Sequence, residues 1–183
     1  MKTFIDGEER IEVTRTSVAK AIERGDLTVW IYKHLAIYDK ATEIVIKESN
    51  KLDRPVNVVD IGCGEMWPLT LLWRAHRNAK SDVLASYLGY DIDPKIKFPV
   101  KIEDKGIRAE IHLQDFRENQ RLDIPGAQSD VVLCSQFIEH IPVECGAKLL
   151  RELYRITSYG GVMYLTTLNG GIKPPKEYHI HEW

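Results

Sequence analysis

Long apolar runs are missing from this chain of 183 residues: nothing approaches the ~20 consecutive hydrophobic positions of a membrane span. The polar opening, residues 1–10, has no apolar core of a signal peptide, so a cytoplasmic location is expected. Cysteine is scarce. Cys63, Cys134 and Cys145 show neither CxxC spacing nor a framework pattern, which excludes a disulfide-stapled scaffold and predicts reduced thiols. An excess of charge is lacking too, with 25 Lys and Arg against 27 Asp and Glu and a formal net charge of -2. A protein that grips nucleic acid by neutralising phosphates is usually visibly basic, so that route gains little support. Repeats and low-complexity tracts are also absent.

What remains is 44% hydrophobic and 28% charged, enough for one globular domain with a three-layer core. Two helices are expected in an N-terminal segment, residues 1–54. Ser17 would cap a short one ending at Gly25. Thr28 would cap a longer one running to about Ser49, with Ile31, Leu35, Tyr38, Thr42 and Val45 on one stripe. Trp30 and Tyr32 at its start read as core packing. From Pro55 the texture changes to short apolar runs alternating with helical spacing, and residues 55–183 form the second part of what is one domain overall. Strands are predicted at 56–61, 86–90, 107–113, 131–134 and 162–167. One helix opens at Pro68 with Leu69, Leu72 and Trp73; another carries Leu149, Leu150, Leu153 and Tyr154. Pro94 and Pro99 make residues 94–106 an irregular crossover.

Such alternation predicts an α/β fold, a doubly wound, mostly parallel sheet covered on both faces. Ligands in these sheets sit beyond the carboxyl ends of the strands, so the chemistry belongs just after Asp60, Asp91, Leu113 and Cys134.

Four segments at those positions carry polar or glycine residues. Asp60-Ile61-Gly62-Cys63-Gly64-Glu65 lets the backbone turn sharply after a buried strand and approach a ligand. A pyrophosphate would be repelled by Asp60, and Trp67 crowds the place where a dinucleotide fingerprint needs a small residue. For a ligand carrying a sulfonium and an ammonium, the acids Asp60 and Glu65 are tolerable or helpful. Next comes Tyr90-Asp91-Ile92-Asp93, whose first acid can accept hydrogen bonds from a ribose diol. The gap from Gly62 to Asp91 exceeds the ~20 residues usual in dinucleotide folds. Gln114-Asp115-Phe116 offers an acceptor for an adenine amino group and a ring to pack on it. Finally, Ser135-Gln136-Phe137-Ile138-Glu139-His140 emerges from a buried strand; Ser135 and Gln136 would line the floor, and His140 more readily closes its own loop than acts as a base.

In their order these segments, with the strand after Gly160-Gly161, resemble the class I S-adenosylmethionine-dependent methyltransferases across roughly residues 55–169. The resemblance implies a Rossmann-like methyltransferase fold and S-adenosylmethionine as cofactor. It implies contacts from Asp60, Gly62 and Gly64 to the amino acid end, from Asp91 to the ribose, from Asp115 and Phe116 to adenine, and from Ser135 and Gln136 to the methyl group. Cys63 and Ile92, inside the same segments, join the cofactor-binding set. No catalytic residue is named. The superfamily sheet has seven strands, whereas five are predicted here; strands six and seven are missing, so a shortened or minimal form is expected. The fifth strand's edge would then be open to a homo- or hetero-oligomeric partner.

The function expected is methyl transfer to an acceptor whose identity the sequence does not give, a small molecule or protein before duplex nucleic acid. Two alternatives stand beside it. Glu139 and His140 with His179 and His181 resemble the metal site of small-RNA 3′-terminal 2′-O-methyltransferases, although Gln136 replaces that family's first acid, and no metal ligand is assigned. A non-catalytic partner subunit retaining the fold is the other. Asp60 and Trp67 argue against a nicotinamide-dependent oxidoreductase.

Overall fold

In a computed structural model of the chain, residues 2–3, 11–12, 29–64, 68–69, 83–93 and 107–167 are described. The chain forms two compact units, Met1–Lys40 and Ala41–Trp183. The first contains β1 (Lys2–Thr3) and β2 (Ile11–Glu12), paired antiparallel, and the start of α1 (Val29–Leu52). The division falls inside α1. The Ser17 helix, the side chains of Trp30 and Tyr32, and the 94–106 crossover lie outside the described residues.

The second unit is a five-stranded sheet in the order β5-β4-β3-β6-β7, with every neighbouring pair parallel. Its strands are β3 (Val56–Ile61), β4 (Leu84–Asp91), β5 (Arg108–Leu113), β6 (Ser129–Ser135) and β7 (Thr157–Thr166). A central parallel strand covered on both faces calls for a near-continuous apolar run; 131–134 supplies one, and Val56–Ile61 supplies one interrupted by Asn57 and Asp60. Alternation then sorts side chains onto two faces. Val56, Val58, Tyr87, Val131 and Leu133 pack with Ala41 and Val45 of α1. Val59, Ile61, Tyr90, Val132 and Cys134 pack with Leu149, Leu153 and Ile156 of α2 (Val143–Ile156). Fully burying one such aliphatic side chain contributes roughly 1.5–3 kcal/mol, so the two faces together hold the sheet.

Three expectations shift. The buried stripe of α1 in this unit runs through Ala41, Val45 and Glu48, with Thr42 only half-buried. Glu48 tolerates its place because Lys51 Nζ reaches its Oε2 at 2.8 Å. On α2, Leu149 and Leu153 are buried as the i, i+4 spacing requires, but Tyr154 is 79% exposed on the outer face. β7 starts at Thr157, directly after α2, and not at Val162. Its register slips between the Ser129–Thr157 and Val131–Val162 pairs, so residues 158–161 bulge. Gly160 (φ +76°) lets the chain make that excursion inside the strand.

Candidate functional site

The strand ends β3, β4, β5 and β6 terminate together at one edge of the sheet, and the loops that follow them are tied to one another through backbone. Gly62 and Cys63 both donate their N–H to Tyr90 O, at 2.8 and 3.1 Å. Gln114 N donates to Asp91 O at 2.9 Å, and Gln136 N to Thr166 O at 2.8 Å. Each tie crosses from one strand's exit to its neighbour, so the sheet itself sets the spacing of the loops.

The glycine turn and the acid of β4 form one unit. Gly64 N donates to Asp91 Oδ2 at 3.0 Å, while Ile92 N and Asp93 N donate to Asp91 Oδ1 at 2.7 and 3.1 Å. Three of the carboxylate's roughly four acceptor sites are thereby used. Gly62 (φ +65°) and Gly64 (φ +47°) both adopt left-handed backbone, but their surroundings differ. A Cβ on Gly62 would fall into the Phe137 side chain, 2.7 Å from Cγ and 2.8 Å from Cβ. A Cβ on Gly64 would meet nothing within 4 Å. Gly62 is therefore glycine for the sake of Phe137, and Gly64 is the one with open space above it.

Asp60 lies beneath this turn, 3% exposed, accepting a hydrogen bond from the buried Tyr87 hydroxyl. Burial raises its carboxyl to about 7 against the lowering effect of that bond, and the nearby charge of Asp91 adds to the rise. The Cys63 thiol is pushed up by burial and by the same two acids, which leaves it an unreactive packing group.

The third segment is held by contacts with Arg117, Tyr90 and Phe137. Asp115 is bound by Arg117, whose Nε lies 2.9 Å from Oδ1 and whose Nη2 lies 2.5 Å from Oδ2; Arg117 N adds a bond to Oδ1 at 2.9 Å. The hydrogen bond from Arg117 holds this carboxyl below its usual value. The acid closes its own turn. Phe116 is 2% exposed and enclosed edge-to-face by Tyr90 and Phe137, at centroid distances of 6.4 and 5.5 Å. Two aliphatic side chains remain open at the Asp91 end: Ile92 is 49% exposed, and Leu113, paired with Asp91 across the β4–β5 ladder, is 60% exposed. Leu113 escaped sequence reasoning because an apolar strand terminus reads as core; exposure is decided by β5 standing at the sheet edge.

At the exit of β6, Ser135 Oγ is buried with no hydrogen-bond partner. An unsatisfied buried hydroxyl costs about 1–3 kcal/mol, so a group that completes it is favoured there. Gln136 follows in left-handed backbone (φ +54°), a strain of roughly 1–2 kcal/mol for an L-residue, and its Nε2 reaches Thr166 Oγ1 at 3.4 Å. Glu139 is 1% exposed and accepts from Thr167 Oγ1 at 3.2 Å. His179 and His181 lie outside the described residues, among which no metal-binding cluster occurs. Also among the described residues, no helix is long and apolar enough to cross a membrane. A cavity of about 370 Å³ near Tyr154, Tyr159 and Gly160 opens at the start of β7, the opposite end of the sheet, and shares nothing with the strand exits.

A parallel sheet with a glycine turn after its first central strand and an acid ending the next defines a Rossmann-like α/β protein. The chain belongs to the family described as Methyltransferase domain, which matches residues 32–182. Among solved structures it is similar to S-adenosylmethionine-bound CalS10, an amino pentose methyltransferase from Micromonospora echinaspora, with 18% identity and a TM-score of 0.53 over 88% of this chain and 59% of that one. A family O-methyltransferase structure from Burkholderia thailandensis matches with 16% identity and a TM-score of 0.53, over 87% of this chain and 44% of that one. The methyltransferase CalH, complexed with S-adenosylhomocysteine, gives 17% identity and 0.51 over 80% and 44%. The chain thus spans 44% to 59% of the length of these structures. No curated protein matches it.

Proposed function

We propose that this protein binds S-adenosylmethionine at the carboxyl edge of its sheet and transfers the methyl group to a small-molecule acceptor. The observation that carries the reading is the 3.0 Å bond from Gly64 N to Asp91 Oδ2, which holds an open glycine turn and a diol-accepting acid in one rigid unit. The residues suit the ligand. Asp60 and Asp91 make the turn electronegative, which favours a sulfonium and an ammonium and disfavours a pyrophosphate. Gly64 has room above it for close approach of a ligand. Asp91 has about one acceptor site left, so it takes one ribose hydroxyl and the second hydroxyl finds another acceptor. Ile92 and Leu113 offer exposed aliphatic surface for the adenine near Phe116. Ser135 Oγ supplies an uncommitted hydroxyl at the reacting end.

When bound, the cofactor supplies a methyl group already activated on sulfur. The chain's part is then to place the acceptor atom in line with it, and orientation alone can be worth effective molarities of ~10⁵ M. A base is required only for an acceptor that must lose a proton, such as a hydroxyl. The small-molecule choice draws support from the near-neutral charge of the chain and from CalS10, whose acceptor class is an amino pentose.

Calorimetric titration with S-adenosylhomocysteine tests the cofactor half. Transfer of radiolabelled methyl to a small-molecule panel, run beside protein and RNA acceptors, tests the other. Absence of heat would remove the cofactor reading; label appearing only in protein or RNA would remove the acceptor reading alone.

A further inference from the structure

One buried contact at the site has no part in the scheme above. Tyr87, fully buried on β4, reaches across to β3 and donates its phenolic hydrogen to Asp60 Oδ2. The register explains how. Tyr87 sits opposite Val58, two residues before Asp60, on the same face of the sheet, so a long side chain directed along the strand meets the carboxylate. A tyrosine is a large residue to spend on a hydrogen bond inside an aliphatic layer. Val45 of α1 and Val58, Val131 and Leu133 of the sheet belong to the same buried cluster, and none of them offers a charge or a donor.

Among the described residues, the ionisable groups that act on Asp60 or feel its charge are Tyr87 and Asp91 on β4, Cys63 on the turn and Cys134 on β6. Among the described residues, the α1 helix brings Ala41 and Val45 to this layer, with Ile44 and Ile46 packed against it, all of them apolar. No cation is in the set. An acid so placed is driven toward its neutral form by burial and by the charge of Asp91, and the Tyr87 hydroxyl is the group that opposes both.

We infer that Tyr87 is a positioning residue for cofactor capture: its hydroxyl keeps the Asp60 carboxylate ionised and fixed beneath the glycine turn, where that charge draws in a cationic methyl donor. The inference rests on the function proposed above. It gives Tyr87 a role that acts through Asp60, and it makes cofactor affinity depend on pH in a way that packing alone would not.

The test is S-adenosylmethionine affinity measured from pH 5.5 to 9 for the full chain, its Tyr87→Phe variant and its Asp60→Asn variant. In the unaltered protein, binding tightens as pH rises through the Asp60 transition near 7. In Tyr87→Phe the same curve moves to higher pH by about one unit, which means weakening of about fivefold at pH 7, approaching about tenfold at pH 5.5, and near-equality at pH 9. In Asp60→Asn, which keeps an acceptor for Tyr87, the transition disappears. Uniform weakening of Tyr87→Phe at every pH would reduce Tyr87 to a packing residue and overturn the inference, as would an Asp60→Asn variant with an undiminished transition. The Asp60 carboxyl is also followed by carbon NMR in the ligand-free protein. An Asp60 titration unmoved by Tyr87→Phe would sink the link between the two residues while leaving the cofactor reading intact, whereas an unaltered protein that binds no S-adenosylmethionine at any pH would sink both.

Discussion

Asp91 Oδ2 lies 3.0 Å from Gly64 N, joining the acid that ends β4 to the turn that leaves β3. The bond makes each partner a condition for the other's geometry. Without the carboxylate, Gly64 loses its anchor; without the turn, the carboxylate is free to rotate toward solvent.

Replacing Asp91 therefore does two things at once. Asp91→Ala removes an acceptor from the ribose and frees three backbone N–H groups, and it is expected to weaken S-adenosylhomocysteine binding by about 1–3 kcal/mol, or roughly 5- to 150-fold. Asp91→Asn keeps one acceptor oxygen and should fall between. Calorimetry on the three proteins checks the order; equal affinities would take Asp91 out of the site.

The two glycines of the turn are predicted to separate. Gly62→Ala places a methyl against Phe137 in left-handed backbone, so it should destabilise the fold by about 2–5 kcal/mol. Adding Phe137→Ala removes the nearest ring atoms, and a double-mutant cycle should show part of that cost returned. Gly64→Ala meets no neighbour and should cost only about 1–2 kcal/mol for its backbone. Its effect should instead appear in cofactor affinity, as a loss of more than about tenfold. Thermal melts and calorimetry on the same samples distinguish the two. A Gly64→Ala variant binding normally would mean that no ligand approaches this turn.

The sequence made these loops legible because their signals are local. An apolar run after Pro55 marks β3 at its observed bounds, and a glycine turn or an acid at a strand exit needs no knowledge of distant residues. A side chain's surroundings are harder to read, because the deciding partner often stands far away in the sequence. Phe116 turns inward because Tyr90 and Phe137 enclose it, and both are remote in sequence. Asp115 is different: Arg117 stands two residues away, so an acid closing its own turn could have been read from spacing alone. Tyr154 looked apolar by helical spacing but falls on the outer face, since a stripe's centre is set by what packs on it. The early start of β7 was hidden by Gly160-Gly161, which mark a bulge within the strand.

Ser135 gives a prediction with opposite signs for stability and for function. Its hydroxyl is buried and unpaired in the ligand-free protein, so Ser135→Ala should leave the melting temperature unchanged or raise it slightly. If the hydroxyl meets ligand, the same change should lower cofactor affinity or methyl transfer by about 2- to 13-fold, the worth of one neutral hydrogen bond. A variant that loses stability without losing binding would place the hydroxyl's partner inside the protein.

The pH dependence of stability follows from Asp60. Its folded carboxyl is raised from 3.8 to about 7, chiefly by burial. Between those values the folded chain retains a proton that the unfolded chain has released, so stability falls as pH rises through this window. Above about 7 both states are ionised, and the cost of the buried charge is fully present and no longer changes. Asp130 and Glu152 act in the reverse sense. Burial opposes the bonds from Arg54 and Asn57 N at Asp130, and at Glu152 the Arg155 bond leads, yet both carboxyls end below their usual values. Their contributions are present above the unfolded values and vanish in acid. The net curve mixes all three, but the difference between Asp60→Asn and the unaltered protein isolates one. Asparagine cannot ionise and still accepts from Tyr87, so the variant's advantage in melting temperature should grow from pH 4 to 7 and then level. An advantage that stayed flat over that range would mean Asp60 is already charged in the folded protein at pH 4, and that the carboxyl edge of the sheet carries its full negative charge throughout.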